Sequence, residues 1–241
     1  MKICIAQTAP IRGNVAANID AHRKFIELAL TLHADAIFFP ELSLTGYEPE
    51  LAKNLATNQN DIRLNIFQET SNINNIIIGL GLPTATNSHI RISMILFEPN
   101  KPRQTYSKQQ LHSDEYPYFE KGVEQVIIKT NDKYIAPAIC YESLQPTHVE
   151  KAYQLGANIY LASVAKSAKG VEKAYEYFPK IAKQYKMPVL MANCVGFCDN
   201  FLCVGQTAVW TKEGKLVGQL DNKTTGVLIF DTETEEIVVR Y

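Results

Sequence analysis

The chain reads as an α/β protein on three observations. Short β-branched runs alternate with stretches of helical periodicity as far as "PVLMAN". Beyond it, "QTAVWT", "KLVGQL" and "TGVLIF" follow one another as strands, which adds an antiparallel part. No Gly/Ser-rich linker, low-complexity tract or shift of composition marks a boundary, so a single domain over residues 1–241 is the simplest organisation. With 46% of its residues hydrophobic and 20% charged, a chain of this length can bury a sizeable core.

Taken in order, "KICIAQ" alternates and is β-branched, as a strand should be. Asn14 offers an N-cap, and Val15, Ile19, His22, Ile26, Ala29 and His33 then recur every three or four residues along one helix face. His22 and His33 on that inward stripe read as hydrogen-bonded core histidines. "AIFF" is a buried strand that Pro40 ends, because proline brings no N–H to a ladder. Residues 59–73 read as a helix and "NIIIGLGL" as a strand, with further strands at 91–97, 103–107, 125–130 and 133–139. A helix over 146–155, the strand "NIYLAS", a helix over 171–185 and "PVLMAN" repeat the alternation. Pro179 either starts a shorter helix in that last stretch or kinks a longer one.

A net charge of −1 and the lack of any basic run leave no electrostatic footprint for nucleic acid. No apolar run approaches the roughly 18 residues a bilayer span needs. The apolar part of "MKICIAQTAP" is too short for the core of a signal peptide, so a cytoplasmic location is expected. Five cysteines make an odd count and read as free thiols. Cys194, Cys198 and Cys203 cluster in sequence, but they form no Cys-x-x-Cys pair and the nearest histidine, His148, is far upstream. They read as packing residues, and neither metal nor cofactor is expected. Partners are small molecules or further copies of the chain.

Polar residues placed just after strand-like runs are the candidates for chemistry, since strand ends of α/β sheets converge on a crevice. Glu41 follows "AIFFP", Lys108 follows "RQTYS", Cys140 follows "YIAPAI", and Glu115 lies in "SDEYPYFEKG". A thiol with an ordinary pKa of about 8.5 needs a base or cation beside it to act at neutral pH. A desolvated glutamate can take the proton. Lys108 and the Tyr141 N–H can meet a developing oxyanion, with Glu115 as counter-charge to a buried lysine. Each residue also has a plainer reading. Glu41 can cap a helix, Lys108 can be a surface charge, Glu115 can be one exposed acid beside Asp114 and Glu120, and Cys140 can be a small buried apolar residue. Nucleophile elbows of the G-x-S-x-G type, P-loops, H-E-x-x-H and G-x-G-x-x-G are all missing. A papain-like pairing of Cys140 with His112 or His148 lacks the local signature of such peptidases.

"FFPELSLTGY", "YSKQQLH", "EYPYFEKG" and "PAICYES" occur in the order seen in the carbon–nitrogen hydrolase (nitrilase) superfamily. "GANIYLASVA", "KMPVLMANCVG" and "VGQTAVWTKEGKLV" continue a resemblance that covers nearly the whole chain. It implies a four-layer αββα sandwich with Glu41 as general base, Lys108 at the oxyanion and Cys140 as nucleophile. Glu115 is the second glutamate that the resemblance implies, with Glu120 as the fallback. Tyr47, Tyr141, Glu142, Ser163 and Val164, in or beside these motifs, are the candidate substrate-binding residues, and Tyr116 and Tyr118 also lie near them. The chain departs from the common pattern after the cysteine, where Glu142 and "SLQPTH" replace an aspartate and a later Arg-Phe-Pro stretch.

The resemblance therefore implies hydrolysis of a non-peptide C–N bond in a small amide or N-carbamoyl compound, through a thioester, by a homodimer or larger assembly. A nitrilase or a thioester-based acyltransferase is the nearby alternative, separable by product analysis. A non-catalytic binding or thiol-sensing protein on the same fold is the alternative of another class. Such a protein would bind its ligand unchanged after Cys140→Ala.

Overall fold

The computed structural model describes residues 1–86 and 89–241. Strands β1 (Lys2–Gln7) and β2 (Ala36–Phe38) run parallel, with helix α1 (Val15–Thr31) as their crossover. A one-turn helix α2 (Ala52–Leu55) and helix α3 (Asn65–Asn74) lead to β3 (Ile77–Thr86), parallel to β2. Strands β4 (His89–Phe97) and β5 (Gln104–Ser107) then add antiparallel. A second sheet begins with β6 (Ile128–Thr130) and β7 (Lys133–Ile139). Helix α4 (Pro146–Gln154), β8 (Ile159–Ser163), helix α5 (Ala168–Tyr185) and β9 (Val189–Ala192) follow, and β7, β8 and β9 are parallel. Among the described residues, strands β10 (Val195–Cys198) and β11 (Phe201–Val204) pair only with each other. The second sheet is completed by β12 (Ala208–Trp210) and β13 (Leu216–Gln219), and β14 (Gly226–Asp231) and β15 (Ile237–Arg240) return to the first. The two orders are β15-β14-β1-β2-β3-β4-β5 and β13-β12-β9-β8-β7-β6.

Alternation along the strands sorts the apolar residues into three layers of core. Ile3, Ile5, Phe38 and Leu96 of the first sheet meet Ile135, Leu161 and Leu190 of the second. Cys4, Ala6, Ile37 and Ile78 point the other way, onto Ile26 and Ala29 of α1 and Phe67 of α3. On the far side of the second sheet, Ala138, Tyr160, Ala162 and Met191 pack on Val149 and Ala152 of α4 and on Phe178 and Ile181 of α5. The central strands are covered on both faces, which is why they read as nearly continuous apolar runs. The result is the helix–sheet–sheet–helix sandwich that the resemblance implied. Each fully buried Leu, Ile or Phe contributes about 1.5–3 kcal/mol to holding it together.

Local readings held or failed for identifiable reasons. Asn14 caps α1, its side chain accepting the Ala17 N–H, and Asn18, His22, Ile26 and Ala29 form the buried face. His33 is not on that face. The helix ends at Thr31, and His33 turns the chain towards β2 in a left-handed conformation, φ +59°, where it is exposed. The helix read over 59–73 starts later, at Asn65, after a turn capped by Asp61. Pro179 lies inside α5, which runs unbroken from Ala168. The β10–β11 pair and β15 carry too little pattern in four residues each to be seen beforehand.

Two contacts bring the site together. Ser163 at the end of β8 donates from Oγ to the Phe39 carbonyl at 2.7 Å, tying the carboxyl ends of the two sheets. Behind the turn that follows β2, His22 bonds Asn18 O through Nδ1 (2.6 Å) and Ser43 Oγ through Nε2 (2.9 Å). Burial lowers His22 to about 4, so it braces that turn as a neutral ring. At Gly81 a Cβ would lie 2.4 Å from Leu42 N and 2.7 Å from Pro40 O, so only glycine lets β3 pass this close beneath the turn.

Candidate active site

Glu41 sits in the turn after β2, Lys108 just past β5, Cys140 just past β7 and Glu115 in the loop between β5 and β6. The structure brings all four together. Lys108 is fully buried, and its Nζ donates to Glu41 Oε1 at 2.8 Å and to Glu115 Oε1 at 2.5 Å. Glu115 is fixed further by Tyr47, whose hydroxyl donates to Oε1 at 3.0 Å, and by the His112 N–H, which donates to Oε2 at 2.7 Å. Glu120, the fallback, is exposed and paired with His89 instead. Glu41 Oε2 is buried and has no hydrogen-bond partner by distance and angle among the described residues. Cys140 has φ +48°, a strained conformation for a residue with a Cβ, at the corner where β7 gives way to a 3-10 turn. Its Sγ lies 3.7 Å from the Ala165 carbonyl and 3.8 Å from Lys166 Nζ.

The electrostatics follow from burial. Desolvation pushes the Glu41 carboxyl up; Lys108 pulls it back, Glu115 adds to the rise, and the neighbouring Cys140 thiol lowers it slightly. Burial would lower the Lys108 ammonium, but Glu41 and Glu115 outweigh it and hold the charge above the ordinary lysine range. Burial, with Glu41 close by, pushes the Cys140 thiol up to about 11, against the pull of Lys166 and Lys108. At rest the sulfur is therefore a thiol.

These groups line or underlie a cavity of about 520 Å³. Tyr47 and Tyr141 are on its wall, as the motifs suggested. Glu142, Ser163 and Val164, also expected near the substrate, do not line this cavity. Ser163 and Val164 are buried in the sheet layer, Ser163 spent on Phe39. Glu142 turns inward and accepts from the Ile139 N–H (2.7 Å), the Gln109 N–H (2.6 Å), the Gln110 N–H (3.2 Å) and the Tyr106 hydroxyl (2.5 Å). It clamps the Cys140 corner to the segment after Lys108. Tyr116 and Tyr118 are exposed and off the wall. Lys166, Tyr177 and Phe201 line the cavity without having been singled out, and so does His112, weighed above only as a papain-like partner.

Cys194, Cys198 and Cys203 are buried with their Sγ atoms within 4.8 Å of one another, in and just before the hairpin that carries Phe201. Three thiols suit a soft metal ion, but the described residues bring no fourth His, Cys, Asp or Glu into the group, and the surrounding core is apolar. Among the described residues no helix is long and apolar enough to cross a membrane.

Residues 2–238 match the family model described as carbon-nitrogen hydrolase. A glutamine-dependent NAD(+) synthetase from Aquifex aeolicus is 27% identical over 91% of this chain and 40% of its own length. The chain thus spans about two fifths of such curated relatives. A Staphylococcus aureus protein described as a hydrolase in the agr operon is 22% identical over 98% of this chain and 93% of its own. Among solved structures, an amidase from Nesterenkonia sp. AN1 superposes with a TM-score of 0.88 at 21% identity, covering 96% of this chain and 92% of that one.

Proposed function

Because the chain belongs to the carbon–nitrogen hydrolase family, we propose that it hydrolyses the C–N bond of a small amide or N-carbamoyl compound through a thioester on Cys140. The observation that carries this reading is the bare Glu41 Oε2, buried beside a nucleophilic sulfur and held by a lysine that a second carboxylate also grips. Glu41 takes the proton of Cys140 as the sulfur attacks the carbonyl carbon. Negative charge moves onto the carbonyl oxygen, where Lys108 and the Tyr141 N–H meet it. Glu41 then gives its proton to the departing nitrogen, which leaves as ammonia or an amine, and the acyl group remains on sulfur. A water molecule, deprotonated by Glu41 and oriented by Glu115, adds to the thioester. The acid leaves and Cys140 recovers its proton. Burial makes Glu41 a stronger base than an exposed carboxylate, which suits a group that must both accept and return a proton.

An amide substrate also agrees with the Nesterenkonia amidase, one of whose structures is described as carrying acrylamide added at its active-site cysteine. The test is ammonia release from a panel of small primary amides, N-carbamoyl compounds and nitriles, with wild type and Cys140→Ala in parallel. Release confined to the wild type is expected. Release that survives the substitution would sink the thiol mechanism.

A further inference from the structure

The cavity contains a cation that the proposed chemistry leaves idle. Lys166, three residues past β8, is 5% exposed and pairs with no carboxylate among the described residues; its one side-chain polar contact is Cys140 Sγ at 3.8 Å. A buried ammonium without counter-charge is costly. The acids on the same wall are already engaged, Glu115 by Lys108 and Asp114 by His112. The lysine is also held in place. Its N–H donates to Asn193 Oδ1 at 2.9 Å, and its carbonyl accepts from Asn193 Nδ2 at 3.3 Å and Val204 N at 3.2 Å. Its stem lies against Gly170, where a Cβ would come within 3.2 Å of Lys166 Cβ and 3.3 Å of Cγ.

A second feature points to the same space. Helix α5 starts at Ala168, its N-cap Ser167 makes no side-chain capping bond, and both Ser167 and Gly170 line the cavity. The positive end of an eighteen-residue helix therefore adjoins the unpaired ammonium. We propose that Lys166 and the amino end of α5 form a subsite for a carboxylate, so that the preferred substrate is a small amide bearing an acidic group, such as the monoamide of a dicarboxylic acid. Only the scissile end of this assignment rests on the hydrolase reading. A single carboxylate cancels the single buried charge of Lys166, whereas a phosphate dianion would add excess negative charge beside Asp114 and Glu115. The cavity has room for such a molecule.

Lys166 is close enough to Cys140 to favour its thiolate, but that role would act on every substrate alike. The probes are therefore succinamate and its neutral counterpart butyramide. Their binding is measured by calorimetry to the full chain carrying Cys140→Ala, so that no turnover is needed. Succinamate is expected to bind about tenfold or more tightly than butyramide. The advantage should vanish when Lys166→Met is added and largely persist with Lys166→Arg. No succinamate binding, equal affinities, a preference that survives Lys166→Met, or a Lys166→Met protein that loses both probes alike would each overturn the subsite. Ammonia release by the chain with Cys140 intact is scored separately. Lysine-dependent binding without release supports the subsite and removes the hydrolase reading. Release from both amides at equal kcat/KM does the reverse.

Discussion

Two buried glutamates flank the Cys140 corner, and they are used in opposite ways. Glu142 is wholly inaccessible and accepts four hydrogen bonds, three from backbone N–H groups and one from Tyr106. Behind it, His148 joins the Tyr106 and Tyr160 hydroxyls at 2.9 and 2.8 Å. Glu41 is almost as buried, but among the described residues it accepts by distance and angle only the Lys108 ammonium, through Oε1, and Oε2 has no such partner. Burial is the main cause that raises both carboxyls, Glu142 to about 7 against the hydrogen bonds it accepts, and Glu115 adds to the rise at Glu41. What separates them is satisfaction. A carboxylate whose lone pairs are filled by fixed donors is a brace, and one with a lone pair to spare can take the part of the base proposed above.

The largest effect that should follow is on turnover. Glu41→Gln removes the base and keeps the shape, so ammonia release should fall about a hundred- to ten-thousand-fold while the melting temperature stays near that of wild type. A loss below tenfold would erase the contrast between the two carboxylates. Glu142→Ala should act first on stability. It leaves three N–H groups without an acceptor and takes one partner from the Tyr106 hydroxyl, and denaturant titration should show a loss of about 3 kcal/mol. A loss under about 1 kcal/mol would mean that the clamp is not structural.

A smaller effect distinguishes the histidine behind Glu41. His22 titrates near 6.5 in the unfolded chain and at about 4 in the fold. Acid therefore favours the unfolded state: the contribution is present above pH 6.5 and is lost as pH falls towards 4. His22→Gln should flatten that decline in urea midpoints between pH 7 and 4.5, and an unchanged slope would refute the assignment. His148 is lowered to about 4 by burial as well, but proton uptake by the adjacent Glu142 opposes it in the same pH window, so His22 gives the cleaner reading. The smallest effect is at Tyr47. Tyr47→Phe deletes one hydrogen bond to Glu115, worth about 1 kcal/mol, and kcat/KM should drop roughly three- to tenfold. No change would show that Lys108 and the His112 N–H hold Glu115 by themselves.

Strand ends were legible because they combine an apolar run with an abrupt polar residue. That rule puts Glu41 and Cys140 forward as candidates; Lys108 follows the polar run "RQTYS" and is chosen by the order of the motifs. Glu115 needed a motif to choose it, since Asp114 and Glu120 stand close by with the same charge. Direction was not legible. Glu142 is two residues from Cys140, but the left-handed φ at Cys140 and the 3-10 turn after it rotate its side chain into the core. Ser163 ends β8 and bonds the first sheet, and Val164, just past it, packs under the helix layer. Lys166, only two residues beyond Val164, lies on the cavity wall after the chain has left the strand. Nothing in local pattern separates those outcomes, because they depend on which layer comes next.

The distribution of the five sulfurs has a practical consequence for anyone handling the protein. Cys4, Cys194, Cys198 and Cys203 are buried, and Cys140 alone is partly open, on a cavity wall. A thiol reagent small enough to enter should therefore count one equivalent per folded chain and five after denaturation. The ratio would report the fraction of correctly folded sites in a preparation, and the site could carry a single fluorescent or mass label with no other cysteine replaced.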